Sequence, residues 1–367
     1  MSLQFITGGS GAGKSEYLSR LVCEESVRRP HDNFIVVVPE QYTMETQKKL
    51  VHMHSRKGIL NIDVVSFERL AYKVFEELGG GNRPVLDDTG KNLIVRRVLE
   101  KEKKKLDYFG SSIEKTGFVS ELKSVISELL QYGITPQQLG EIGENVKEKQ
   151  QLSAKLKDIR LVYEEFMAFL STNYITSEEI LDVLCGLVEK SKLIAGSEII
   201  FDGFTGFTPI QYKLMRLLLV YSKGIKISVT IDKKERPTGH EGWNNLFFMS
   251  KEMMNRLIAI CEEEGINVDD TVCVDRDINY RYEGAKDLAY LERNLFRYKG
   301  GVYTGTPENI RIYEGSNPKE ELQYIVSEIL QLTRKEGFRY RDIAVVTADL
   351  ETYGKVAANM MKQNDIP

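Results

Sequence analysis

The stretch LQFITGGSGAGKSEYL, residues 3–18, decides the fold. Leu3 to Thr7 read as a short apolar strand, glycines follow at positions 8, 9, 11 and 13, Lys14 and Ser15 close the run, and Glu16 to Arg28 carry helical periodicity. The spacing G-x-x-x-x-G-K-[ST] between a strand and a helix is the phosphate-loop pattern. Glycines let the backbone turn tightly and aim its N–H groups at phosphate oxygens, where larger side chains would block the approach. Lys14 supplies a point charge for terminal phosphates, Ser15 a hydroxyl for Mg²⁺, and the helix N-terminus a favourable dipole. The pattern therefore predicts a nucleotide held by Gly8, Gly11, Gly13, Lys14 and Ser15. The alternative is a plain glycine-rich βα turn, which gives no reason for strand, Lys, Ser and helix to coincide. Hydrolysis is a separate matter, since it needs a metal-holding carboxylate and a group that activates water.

The chain has 367 residues, 42% of them hydrophobic, which suits two or three domains with ordinary cores. Its net charge is −4, so any nucleic-acid contact must come from local patches. Cys23, Cys185, Cys261 and Cys273 are far apart and lack C-x-x-C or Cys/His spacing. They read as buried thiols in a reducing compartment rather than as metal ligands. No stretch of about 18 uncharged apolar residues and no signal-peptide pattern occur. The expectation is a cytoplasmic protein with no membrane contact.

Beyond the first helix, NFIVVVPEQYT (33–43) holds a continuous apolar run that suits a strand covered on both faces. GILNIDVVSFERLAYKVFEELGGG (58–81) repeats strand and helix, and ends on three glycines. This alternation predicts a parallel α/β sheet. From Asp87 to Leu193 the segments read as helices with no convincing strand between them, which predicts an all-helical insertion. Its cluster Lys101, Lys103, Lys104 and Lys105 reads as a solvated helix face, with phosphate contact as the alternative. The α/β rhythm returns with SEIIFDGF (197–204), GIKISVTID (224–232) and a helix over NLFFMSKEMMNRLIAICEEEG (245–265). After the Gly-rich link YKGGVYTGTPEN (298–309), IRIYEG (310–315) and DIAVVTA (342–348) read as strands, each followed by a helix. A further parallel strand is expected after the final helix, which makes the chain a fragment cut inside its last domain.

A phosphate-loop ATPase usually carries a second apolar strand ending in Asp, often followed by a catalytic Glu. The candidate here is EIIFDGFTGFTPIQYKLMRLL (198–218). Asp202 can hold Mg²⁺ together with Ser15, the alternative being an ordinary Asp at a strand end. Gly203 stands where the Glu would be and has no group to activate water, so no catalytic residue is assigned. Loss of a general base costs ~10²–10⁴-fold in rate. The segment before Gly8 is too short to clamp an adenine base, so phosphates are expected to be gripped better than the base.

These strings together resemble UvrD-type superfamily 1 helicases. DGFTGFTPIQY (202–212) aligns with their D-E-[FY]-Q-D-x-x-x-x-Q segment, keeping Asp202 and Gln211 but with Gly203 for Glu. VVVPEQYT (36–43) resembles motif Ia, and DVVSFERLAYKVF (63–75) the strand and Ser/Thr-Phe element that follows it. The ordered set Val38–Thr43, Ser66–Ala71, Arg83–Leu86 and Asp202–Gln211 is most similar to the N-terminal region of AddB-type subunits of bacterial AddAB helicase–nucleases. The resemblance spans nearly the whole chain. It implies a RecA-like, P-loop helicase domain 1A over 1–86 and 194–300, an inserted helical domain 1B over 87–193, and the truncated start of a second α/β domain 2A over 308–367. It also implies a heterodimer with an AddA-type motor subunit, ATP and Mg²⁺ as ligands, and work on single-stranded and duplex DNA in double-strand-break repair by recombination. In the family the subunit is similar to an inactivated helicase that guides the single strand and recognises Chi, and its nuclease and iron–sulfur cluster lie near the C-terminus, outside this chain.

For DNA the resemblance points to Gln41, Thr43, Ser66 and Phe67, at or just past the ends of parallel strands, where such sheets bind ligands. Amide and hydroxyl groups can hold phosphates, and Phe67 can stack on a base or pack under its own helix. Two departures concern the motor. KKERPTGHEGW (233–243) lacks the acidic-Gln string of helicase motif III, and INYRYEGAKDLAYLERNLF (278–296) only faintly matches the Arg-bearing motif IV, at Arg281. The leading expectation is an ATP-binding, DNA-guiding subunit with poor or no hydrolysis of its own. The alternatives are an active helicase using another carboxylate such as Glu40, a phosphate-loop small-molecule kinase, and a relic loop that binds nothing.

Overall fold

The computed structural model describes residues 1–79, 84–115, 117–146, 149–176, 179–235, 242–297 and 301–367. Outside them lie residues 80–81 of the glycine stop, Arg83 of the RPVL string, residues 236–241 of KKERPTGHEGW, and 298–300 of the Gly-rich link. The chain divides into two compact units, Met1–Glu283 and Gly284–Pro367.

In the first unit the strands are β1 (Ser2–Gly8), β2 (Asn33–Val37), β3 (Ile62–Val65), β4 (Val85–Leu86), β5 (Ile175–Thr176), β6 (Ser197–Phe201), β7 (Gly224–Thr230), β8 (Asn267–Val268) and β9 (Val272–Cys273). Seven of them form one sheet in the order β3-β2-β6-β7-β1-β8, with β9 also pairing β1. Every pairing in it is parallel. The chain is thus an α/β protein built on a parallel seven-stranded sheet, as the alternation of apolar runs and helices predicts.

Helices cover both faces: α1 (Lys14–Arg28), α2 (Thr43–Met53), α3 (Phe67–Leu78), and, beyond the inserted block of α4 (Asp88–Glu102), α5 (Phe118–Gln131), α6 (Pro136–Asn145) and α7 (Gln150–Asn173), α8 (Ile180–Cys185), α9 (Lys192–Ala195), α10 (Pro209–Tyr221) and α11 (Phe248–Glu264). Side chains alternate across a strand. Phe5, Ile35 and Ile199 accordingly enter one core with α3, α8, α10 and α11, while Ile6, Val36 and Ile200 enter a second with α1 and α2. This two-sided burial explains why β2 and β6 are almost unbroken apolar runs.

The inserted block has its own core, with Val95, Leu99, Val162, Tyr163 and Phe166 at its centre. The buried Asp158 carboxylate ties a loop to it by accepting the backbone N–H groups of Asp107, Tyr108 and Phe109 at 3.1, 2.8 and 2.9 Å. The block is not wholly helical. β5 forms a two-residue parallel pair with β4, too short to show a sequence period. Ile180, Leu184 and Val188, also within the stretch read as helical, contribute to the sheet's core. Of the basic cluster, Lys101, Lys103 and Lys105 pair with Glu165, Glu114 and Glu102, as a solvated face does.

The second unit holds α12 (Lys286–Asn294), α13 (Pro318–Lys335) and α14 (Leu350–Gln363), and α13 and α14 share a small core with Val326, Ile329 and Ile366. Buried Asp287 accepts the N–H groups of Leu288, Glu308 and Asn309 and the Asn309 amide, and hydrogen bonding, led by the Asn309 backbone, holds its carboxyl below the usual range. The two strands expected here do not form. Residues 310–315 and 342–348 make no ladder, and Ile312 and Val346 are 95% and 89% exposed. A β pattern becomes a strand only when a neighbour takes up its N–H and C=O groups, and neither segment has one among the described residues. No helix among the described residues is long and apolar enough to cross a membrane.

Candidate phosphate site and strand-end surface

All the candidate residues fall along one edge of the sheet, at the C-terminal ends of its strands. Read across that edge, the order is Ser66 and Phe67 after β3, Gln41 and Thr43 after β2, Asp202 after β6, Ser228 and Thr230 at the end of β7, and the glycine loop after β1. Four strand steps, about 19 Å, separate the two ends of this series.

The loop is shaped by its glycines. Gly11 and Gly13 adopt left-handed φ angles of +74° and +97°, and Gly13 is the residue that opens α1. A Cβ on Gly11 would lie 2.5 Å from the Arg281 Cβ, so only glycine fits there. Lys14 folds back over the loop and donates to the carbonyls of Gly8 and Gly9 at 2.8 and 2.9 Å. The resulting cavity of about 380 Å³ is lined by Gly11, Gly13, Lys14 and Ser15, by Asp202, Ser228 and Thr230, and by Lys49 and Arg281. Lys49 is also paired with Glu16 at 3.0 Å. The donor set fits a polyphosphate with Mg²⁺: backbone N–H groups at a helix start, three cations, the Ser15 hydroxyl and the Asp202 carboxylate, while Glu16, the other carboxylate on the lining, is paired with Lys49.

Asp202 stands at this cavity, and Ser228 donates to its Oδ1 at 2.6 Å. Gly203 has φ +85°, a conformation that favours glycine, and its N–H donates to the Ser228 hydroxyl at 3.3 Å. Glu40, the alternative base, does not line the cavity and is paired with Arg69 at 2.8 Å.

A strap over residues 272–282 follows the loop almost residue by residue, and sequence reasoning missed most of it. Val274 N–H donates to Thr7 O at 2.9 Å, and Asp275 accepts Gly9 N–H at 2.9 Å through one oxygen and Lys233 N–H at 2.9 Å through the other. Buried Asn279 donates to Ser10 O, and Arg281 N–H to Gly11 O, each at 3.3 Å. Ser228 was missed too, although a small hydroxyl in an apolar strand, beside the strand that ends in Asp202, is a readable signal.

On the other half of the edge, Gln41 is exposed in a short turn. Thr43 is buried and donates its hydroxyl to Glu40 O at 2.9 Å, and buried Ser66 caps α3 by accepting Arg69 N–H at 3.3 Å. Phe67 is buried against Phe201, Phe204 and Phe207, with ring centroids 5.6, 5.4 and 6.0 Å away. Gln211, kept in the helicase-like string, forms a capping box with Thr208 at the start of α10.

Three cysteines are buried as expected, but Cys273 is exposed because it lies on β9, a two-residue strand paired only with β1. Burial pushes the Cys185 and Cys261 thiols up to about 11, so they stay protonated near neutral pH. No cluster of three or more His, Cys, Asp or Glu suited to a metal ion occurs among the described residues.

Fold and site thus define an α/β protein with a glycine-rich loop and a carboxylate at the C-terminal strand ends of a parallel sheet. Residues 5–292 match the family described as ADDB, N-terminal, and the chain belongs to that family. It is similar to proteins named as the B-type subunit of an ATP-dependent helicase/deoxyribonuclease. That of Lachnoclostridium phytofermentans is 42% identical over 370 residues, that of Caldanaerobacter subterraneus subsp. tengcongensis 35% over 370, and that of Clostridioides difficile 34% over 372. The matches take in 100% of this chain but only 32%, 31% and 32% of those proteins, so the chain spans about a third of the length of the curated relatives it matches.

Proposed function

We propose that this chain is the nucleotide-binding, DNA-guiding part of a subunit of an ATP-dependent helicase and deoxyribonuclease, working in the cytoplasm beside an AddA-type motor subunit in break repair. In this reading residues 1–86 and 194–300 are a P-loop, RecA-like helicase domain, 87–193 a helical domain inserted in it, and 308–367 the start of domain 2A. Gly8, Gly11, Gly13, Lys14 and Ser15 hold the phosphates of ATP, and Ser15 with Asp202 holds its Mg²⁺. When bound, Mg²⁺ neutralises phosphate charge, and the chain's own groups orient the phosphates.

The observation that carries the reading is the pairing of an intact cradle with an absent base. The loop, Lys14 and Asp202 converge on one cavity, while Gly203 leaves no side chain beside Asp202 to activate water. Binding with poor or no turnover follows. Gln41, exposed past β2, is the polar contact offered to single-stranded or duplex DNA, while Thr43 ties the turn that carries it and Ser66 and Phe67 fix the start of α3 after the neighbouring strand. Glu40, tied to Arg69 and outside the cavity lining, does not support the active-helicase reading.

The test is DNA-stimulated ATP turnover by the chain, with Lys14→Ala as control. Negligible turnover by both supports the proposal. Turnover at ordinary helicase rates, abolished by Lys14→Ala, refutes it.

A further inference from the structure

Resting on that nucleotide-binding reading, we infer that Lys49 of α2 grips the terminal phosphate of the bound nucleotide and that Glu16 holds it back while the site is empty, so that the site prefers a triphosphate to a diphosphate. The order of the strands sets the direction. The glycine loop follows β1, Thr230 ends β7, Asp202 follows β6, and α2 follows β2, beyond Asp202. With the phosphates starting on the loop and Mg²⁺ shared by Ser15 and Asp202, the far end of the phosphate chain lies on the α2 side, where Lys49 lines the cavity. Lys14 and Arg281, the other two cations on the lining, come instead from the loop and from the strap that follows it. Leu50, the next residue, is fully buried in the core that α2 shares with Leu18 and Val22 of α1. Its burial fixes the rotation of α2, and with it the face on which Lys49 stands.

The ion pair of Lys49 with Glu16, at 3.0 Å, does little to hold the fold together. The two side chains are 36% and 50% exposed, and surface pairs of this kind contribute little stability. Its effect is local. Glu16 stands in the first turn of α1 and on the lining of an anion site, where its charge opposes phosphate unless a cation offsets it. Lys49 is therefore divided between two partners, the Glu16 carboxylate in the empty site and a phosphate oxygen in the filled one. A terminal phosphate carries more charge than the single exposed carboxylate and draws Lys49 to itself. Arg20, 3.9 Å from the other oxygen of Glu16, stays with the carboxylate when Lys49 turns away. A diphosphate ends short of this side and leaves Lys49 on Glu16.

The experiment is calorimetric titration of the full chain with Mg·ATP and with Mg·ADP. Lys49→Met is expected to weaken Mg·ATP about tenfold and Mg·ADP less than about threefold, with Lys49→Arg close to the parent. Neither variant is expected to change the melting temperature measured without nucleotide. Glu16→Gln, which frees Lys49 and removes an opposing charge, is expected to tighten Mg·ATP by about threefold or more, a gain that shrinks when Lys49→Met is combined with it. Equal changes for the two nucleotides in Lys49→Met, or no change in either, would overturn the role of Lys49 at the terminal phosphate. A Glu16→Gln variant that binds Mg·ATP no more tightly would overturn Glu16 as the competing partner. Both results leave nucleotide binding intact, whereas a parent chain that binds neither nucleotide would overturn this inference together with the reading it rests on.

Discussion

The hydroxyl of Ser228 donates to the carboxylate of Asp202 at 2.6 Å, joining the ends of two adjacent strands at the cavity beside the glycine loop. The same oxygen accepts the Gly203 N–H at 3.3 Å, so one side chain fixes both the carboxylate and the turn that follows it. Removing it should loosen Asp202 without touching the loop. Ser228→Ala is expected to cost about 1 kcal/mol of stability and to weaken Mg·ATP binding several-fold. ATP binding measured in EDTA should be unchanged, and equal weakening with and without Mg²⁺ would count against Asp202 as the metal-holding group.

Asp275 pins the loop from the strap, with one carboxylate oxygen on Gly9 N–H and the other on Lys233 N–H. Asp275→Ala strands two backbone donors at about 1–3 kcal/mol for each that stays buried. Chemical denaturation should show that loss, and titration a nucleotide affinity reduced alongside it. Asp275→Asn, which keeps an acceptor for one of the two, should fall between the variant and the parent.

Restoring a carboxylate beside Asp202 should not restore an engine. Gly203 sits at φ +85°, and although a Cβ there would meet Pro39 only at ordinary contact distance, 3.5 Å, the backbone is strained for any other residue. Gly203→Glu is expected to lose about 1–2 kcal/mol and to gain no ATP turnover. A turnover rising a hundredfold in a phosphate-release assay would show that the missing base alone separates this site from an active one.

At the opposite edge of the sheet, Glu198 joins Lys226 and Arg29, the latter at 2.5 Å. Burial raises the Glu198 carboxyl, but the hydrogen bonds from Lys226 and Arg29 outweigh it and hold it below the usual range. A lowered folded-state pKa adds stability above the unfolded value, about 4.3 for Glu, and that stability fades as pH falls through the folded value. Urea midpoints should therefore drop below about pH 4, and Glu198→Gln, less stable at pH 7, should show a smaller drop.

Local patterns carried much of the fold. The β1-loop-α1 unit, the buried runs of β2 and β6 and the position of Asp202 are written in consecutive residues. The strap is not, because Asp275 and Asn279 reach the loop across 266 and 269 residues and each looks like an ordinary turn residue in its own neighbourhood. Thr43 and Ser66 show another limit. A hydroxyl just past a strand serves equally well to hold a ligand or to cap a helix, and here both face backbone. Residues 310–315 and 342–348 have the apolar composition of strands, but that composition cannot supply a ladder partner.

The most direct test of binding without hydrolysis is to load the chain with γ-labelled Mg·ATP, remove free nucleotide, and identify what remains bound after acid quenching. About one ATP per chain, recovered as ATP and lost in Lys14→Ala, is the expected result. Recovery as ADP with released phosphate, or no retention by a chain that is otherwise folded, would contradict it.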